Sequence, residues 1–129
     1  MQMLRKLLGE LWYNCCMIRI IRPTNTRDQF GDGADYKGSR WEVYKTSSKE
    51  VKSGKAGAEQ MFHILNAPEE LLEDWERSIA QEFRALDNYS LSVGDVVEVD
   101  GEQFLCESFG WKELEAPCNE IEYNREYAM

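Results

Sequence analysis

The feature that most constrains this chain is the stretch 90–111, SLSVGDVVEVDGEQFLCESFGW. At its centre Asp100-Gly101 joins two strand-forming runs, 95–99 and 102–106. Asp-Gly is among the best two-residue hairpin turns because both positions accept positive φ. The turn dictates the register: Val99 faces Glu102, Glu98 faces Gln103, Val97 faces Phe104, Val96 faces Leu105 and Asp95 faces Cys106. Side chains alternate along a strand. Val97, Phe104 and Cys106 therefore share one face, and Val96 and Leu105 share the other. Apolar content on both faces predicts a hairpin sandwiched inside the domain. Val93-Gly94-Asp95 turns into its first strand, and Phe109-Gly110-Trp111 leaves its second.

Upstream, the isoleucine-rich run 17–22 predicts a first strand ending at Pro23. Residues 24–40 read as a polar loop, and 41–45, WEVYK, as a half-buried strand with Trp41 and Val43 on one face and Glu42 and Tyr44 on the other. In 57–65, Ala58, Met61, Ile64 and Leu65 stand at helical spacing, and Asn66 can end that helix. Pro68 sits in the tolerant first turn of the next, where Glu69 and Glu70 favour the positive end of its dipole. Leu71, Leu72, Trp75, Ile79, Phe83 and Leu86 make one apolar stripe, the strongest helical signal in the chain. The expected fold class is α+β: a small mixed sheet, including the C-terminal β-hairpin, packed against one or two amphipathic helices.

The 129 residues fit a single domain at 17–112, followed by an acidic tail at 113–129 that Ile121, Tyr123 and Tyr127 anchor in part. For residues 1–16 two readings stay open. Leu4, Leu7, Leu8 and Leu11 at helical spacing suit a short docked helix, and the same segment suits a translated leader ahead of a start at Met17. Gly9-Glu10 interrupts the apolar run too early for a signal peptide. No stretch approaches the roughly eighteen apolar residues of a membrane span.

The net charge of −9 hides an asymmetry. Residues 1–55 carry 11 Lys and Arg against 6 Asp and Glu, a net of +5, whereas 56–129 carry 4 against 18, a net of −14. So acidic a half is not expected to hold nucleic acid through its phosphates, which requires Lys and Arg to displace counterions. It attracts and steers basic surfaces instead. A solvated, solubilising face is the plainer reading of the same residues.

Chemistry-bearing patterns are few. Cys15, Cys16, Cys106 and Cys118 lack C-x-x-C spacing, so neither a zinc site nor any other metal site or cofactor is expected. Reduced thiols fit the cytoplasm of a host cell. His63 is the only histidine and has no evident base or metal partner. Lys49, Ser53, Gly54 and Lys55 lack the first glycine and the hydroxyl of a phosphate loop. The acidic residues around 28–35 do not match a calcium loop. Ser90 and Ser92 suit backbone bonding in a turn. No catalytic residue is assigned, and the balance leans away from an enzyme.

Three segments carry a family resemblance: MFHILN at 61–66, SLSVGDVV at 90–97 and CESFGW at 106–111. Their F-x-x-x-N helix end, S-x-S-x-x-D-V-V turn and strand, and closing aromatic after glycine resemble the YodL-like domain family over about 57–113. The acidic helix between Pro68 and Leu86 is longer than the connection in that family. The resemblance brings no activity or catalytic residues. It implies a setting in phages and integrative or conjugative elements, where small acidic proteins often bind and block other proteins.

The first expectation is thus a non-catalytic accessory factor that binds a host or element-encoded protein with a basic surface, a form of counter-defence by charge mimicry. Its contact carboxylates would be Glu69, Glu70, Glu73, Asp74 and Glu76. The alternative is a small β-module that binds a ligand or single-stranded nucleic acid, stacking on Trp41, Tyr44 and Trp111 and holding phosphates with Lys49, Lys52 and Lys55. An enzyme built on His63 or Asp95 is a third, weaker reading.

Overall fold

The computed structural model describes residues 15–24 and 39–122. The N-terminal leucines, most of the expected polar loop, Tyr123 and Tyr127 lie outside the described residues. In chain order the elements are β1 (Cys16–Pro23), β2 (Arg40–Ser48), α1 (Gly54–Asn66), a 3-10 turn (Glu69–Leu71), α2 (Asp74–Ala85), β3 (Val96–Val99), β4 (Glu102–Glu107) and β5 (Gly110–Glu113). The strands form one sheet in the order β2-β1-β3-β4-β5, and every ladder is antiparallel. Parallel pairing among the described residues is confined to an isolated bridge between Arg40 and Glu120. The chain is an α+β protein, its C-terminal hairpin in one sheet with two amphipathic helices against it.

The Asp-Gly turn produces the register expected of it. Val99 pairs with Glu102, Glu98 with Gln103, Val97 with Phe104 and Val96 with Leu105. Asp100 and Gly101 adopt φ of 49° and 88°, the left-handed pair that a type I′ turn requires. Both faces of the hairpin are covered. Val97, Val99 and Phe104 join Ile18, Ile20 and Tyr44 beneath Met61, Ile64 and Leu65 of α1 and Ile79, Ala80 and Phe83 of α2. On the opposite face Val96, Leu105 and Ile21 pack with Leu114 and Cys118. The segment after β5 is therefore held to the sheet by Leu114 and Cys118, while Ile121 is 44% exposed. Polar bonds add to this strap. The Cys118 amide donates to Gln103 Oε1 at 2.9 Å, the Arg40 amide donates to the Asn119 carbonyl and the Ile121 amide to the Arg40 carbonyl. The Arg19 guanidinium, between Glu42, Glu98 and Glu120, completes it.

Four expectations need correction. The first helix begins earlier, at Gly54. There Gly57 is required by close approach, because a Cβ at that position would stand 2.0 Å from the Lys52 carbonyl oxygen. The single helix expected from Pro68 to Leu86 is broken. Leu72 and Glu73 are extended between the 3-10 turn and α2, so the apolar stripe loses both ends, with Leu71 69% and Leu86 58% exposed. The break is stabilised locally. Glu76 Oε1 accepts the Glu73 backbone N–H at 2.9 Å, one arm of a capping box that starts α2 afresh. In β2 the expected alternation fails because the register shifts between Ile20 and Ile21: Ile20 pairs with Tyr44 and Ile21 with Glu42, leaving Val43 over. A bulge residue interrupts the period of two, and Trp41 and Tyr44 both end up buried. Finally, Phe109-Gly110-Trp111 does not simply exit: it turns the chain back into β5, an edge strand against β4.

Candidate functional site

Residues of the segments 61–66, 90–97 and 106–111 meet in space, and they act as a latch. Asn66 closes α1, and its side-chain amide pairs with the backbone of Leu91. Nδ2 donates to the Leu91 carbonyl at 2.9 Å, and the Leu91 amide donates to Oδ1 at 2.7 Å. The following turn is organised by Asp95, which is fully buried. Its carboxylate accepts the Ser92 amide at 2.8 Å and both Nε and Nη2 of Arg22 at 3.0 Å. Arg22 also donates to the Ser90 carbonyl at 2.6 Å and to Asn88 Oδ1 at 3.2 Å, and Arg40 donates to the Gly94 carbonyl. Burial pushes the Asp95 carboxyl up, and Arg22, the Ser92 amide and Arg40 pull it back down. On the helix side, Phe62 meets Trp111 edge to face with ring centroids 6.2 Å apart.

Nothing in the latch is poised for nucleophilic chemistry. Burial, aided by Asp95 and Glu107, pushes the Cys106 thiol up to about 11, so it stays protonated and unreactive at neutral pH. The Asp95 oxygens are committed to Arg22 and Ser92. The His63 side chain is exposed on α1, away from this buried cluster. Among the described residues no three His, Cys, Asp or Glu side chains gather as a metal site, and no helix is long and apolar enough to cross a membrane.

The five carboxylates expected to contact a partner lie together at the corner between α1 and α2, and most of them are engaged within the chain. The Glu69 carboxylate accepts Gln81 Nε2 and Arg84 Nη1, each at 2.9 Å, and these bonds hold its carboxyl below the usual range. Asp74 pairs with Arg77 at 2.8 Å. Glu76 caps α2, and Glu73 accepts the Trp75 indole N–H at 2.9 Å. Glu70 is exposed and has no such bond to a described residue. The two arginines also serve the backbone. Arg77 donates to the Leu72 carbonyl at 2.7 Å, and Arg84 to the Ala67 carbonyl at 3.2 Å, covering carbonyls that a chain leaving a helix would otherwise orphan.

A second acidic region lies on β4 and β5. Glu102, Glu107, Glu113 and Glu115 are exposed, and none of the four carboxylates is bonded or ion-paired to another described residue. Glu102, Glu113 and Glu115 line a shallow groove of about 220 Å³ together with Gln103, Leu114 and Pro117. Phe109, at the tip of the β4–β5 turn and so at the other end of this ladder, is 98% exposed. The sequence places Glu113 and Glu115 in the acidic tail, but none of the four is singled out as a contact residue because the run before α2 is denser in carboxylates. The signal that separates the two regions is the position of basic residues. Of the four Lys and Arg in 56–129, Arg77 and Arg84 fold onto the corner and pair with Asp74 and Glu69, whereas Lys112 lies exposed on β5.

The residues of the alternative ligand site do not converge. Trp41 and Tyr44 lie on β2, at one edge of the sheet, and Trp111 lies on β5, at the other. Trp41 and Tyr44 are 3% and 4% exposed. The Tyr44 hydroxyl donates to Glu82 at 2.8 Å and its ring packs edge to face on Phe83, so neither ring presents a face for stacking. Lys49, Lys52 and Lys55 are exposed between β2 and the start of α1. Compared with known proteins, the chain matches no family model, no curated protein and no solved structure.

Proposed function

We propose that this chain is a non-catalytic protein-binding factor that engages a basic surface through its exposed carboxylates. The observation that carries the reading is the group Glu102, Glu113 and Glu115, three exposed carboxylates at one end of the β4–β5 ladder with no hydrogen bond or ion pair to another described residue. Clustered like charges raise the local potential and draw in an oppositely charged partner, and a partner that supplies Lys or Arg relieves their repulsion. The corner before α2, including Glu70, adds to the field from the helical side. In the phage or mobile-element setting that the YodL-like resemblance implies, the partner is a host or element-encoded protein with a basic, nucleic-acid-binding face in the host cytoplasm. Binding then works as counter-defence by charge mimicry.

Affinity capture with the full chain tests this. The expected result is a basic partner whose recovery falls steeply between low and physiological salt and is lost with Glu102, Glu113 and Glu115 all changed to lysine. Capture that ignores salt and survives this charge reversal overturns the reading.

A further inference from the structure

The outer side of β5 has a direction and a chemistry of its own. The Leu114 amide donates to the Gln103 carbonyl at 2.9 Å, and hydrogen-bonded pairs alternate along an antiparallel ladder. With the observed register, Leu105–Lys112 and Glu107–Gly110 are then the bonded pairs, while Phe104–Glu113 and Cys106–Trp111 are not. The backbone N–H and C=O groups of Trp111 and Glu113 therefore point away from β4, and no described strand lies beyond them. Such an edge is a template for another strand. Trp111 and Glu113 also project to the same face of the sheet, the one on which Trp111 meets Phe62 of α1.

We infer that β5 is a docking edge for an extended, basic segment of a protein partner, which adds as a sixth strand. This rests on the protein-binding reading above and names where and how the partner sits. Main-chain bonds to Trp111 and Glu113 supply the pairing, and alternate side chains supply the selection. The added strand places an apolar residue beside Trp111, Phe62 and exposed Phe109, and a Lys or Arg two positions away beside Glu113, Glu102 and Glu115. Charge decides against a second copy of this chain as the occupant. An antiparallel pairing of two β5 strands would set these carboxylates against each other, and like charges across a ladder are destabilising.

The test uses the full chain and a short peptide of alternating threonines in which a lysine and a valine stand two residues apart. On adding the peptide, the Trp111 and Glu113 amides are expected to gain at least tenfold protection from hydrogen exchange. Glu113→Pro removes an outward N–H while sparing the bonds to β4, a position an edge strand tolerates, and should abolish that binding with the amide spectrum of the core unchanged. Should Glu113→Pro unfold the chain, Glu113→Lys keeps the N–H and should reverse the preference toward a peptide with glutamate in place of lysine. Absence of protection at β5, protection at β2 instead, or a dimer of the unliganded chain that Glu113→Pro dissolves each overturns the inference. If the captured partner is lost on charge reversal but kept by folded Glu113→Pro, the charge reading stands and the docking edge falls. If the peptide protects β5 while no basic partner is captured, the edge stands and the charge reading falls.

Discussion

The corner before α2 and the edge formed by β4 and β5 are acidic to a similar degree, and they differ in where their counter-charges lie. At the corner Glu69 is bonded to Arg84 and Gln81, Asp74 to Arg77, and Glu76 to the start of its own helix. At the edge Glu102, Glu107, Glu113 and Glu115 have no such partner among the described residues. The same residue type is thus part of the fold in one place and left to the solvent in the other. Density of acidic residues along the sequence points to the corner; the distribution of arginines in space points to the edge.

That contrast can be broken by mutation, and a buried carboxylate sets its upper limit. Asp95→Ala leaves Arg22 without its main partner inside the latch. Removing one member of a buried pair costs about 3–5 kcal/mol, so the urea midpoint should drop more than in any other single variant described here. At the corner, Glu76→Ala removes the acceptor of the Glu73 amide and should cost about 1 kcal/mol, read from the same denaturation curves. At the edge, changing Glu102, Glu113 and Glu115 to glutamine one at a time should move stability by less than about 0.5 kcal/mol. A loss above about 1 kcal/mol from any of the three would show that the edge carboxylates are structural after all.

The smallest effect is on pH dependence. The Glu69 carboxyl is held below its ordinary value when folded, so the folded state binds fewer protons there than the unfolded chain. Its contribution is present above the ordinary glutamate range and is lost as the pH falls through the folded value. Comparing acid denaturation of the parent chain with Glu69→Gln should show a slightly shallower decline in the variant. An identical profile would remove Glu69 from the set of engaged carboxylates.

Much of the fold was legible because its signals are local. Asp100-Gly101 accepts a turn that few other dipeptides accept, and the register of Val96, Val97 and Glu98 against Leu105, Phe104 and Gln103 follows by counting. The spacing of Met61, Ile64 and Leu65 likewise shows the buried face of α1. The break at Leu72 and Glu73 was not legible, because the apolar stripe continues in phase across it. What stops the helix is the Glu76–Glu73 cap together with Arg77 reaching back to the Leu72 carbonyl. The bulge at Val43 was equally hidden. Asn88, forty-five residues away, donates from its side chain to the Val43 carbonyl at 3.2 Å and to the Phe83 carbonyl at 3.1 Å, tying the bulge to the end of α2.

The sequence by itself determined the elements whose cause lies within a few residues: the type I′ hairpin, the apolar faces of the helices and the charge imbalance between the two halves. The tertiary structure alone decided which side of each strand meets a neighbour and which carboxylates meet an arginine. It set the hairpin beside β1 and made β5 an edge. It brought Arg84 to Glu69 across fifteen positions and Arg22 to Asp95 across seventy-three, and it left Glu113 without an ion pair to a described residue. The physical reason is range. Backbone preference and side-chain periodicity act along the chain, whereas ion pairing and burial depend on distances that exist only once the sheet and helices have packed.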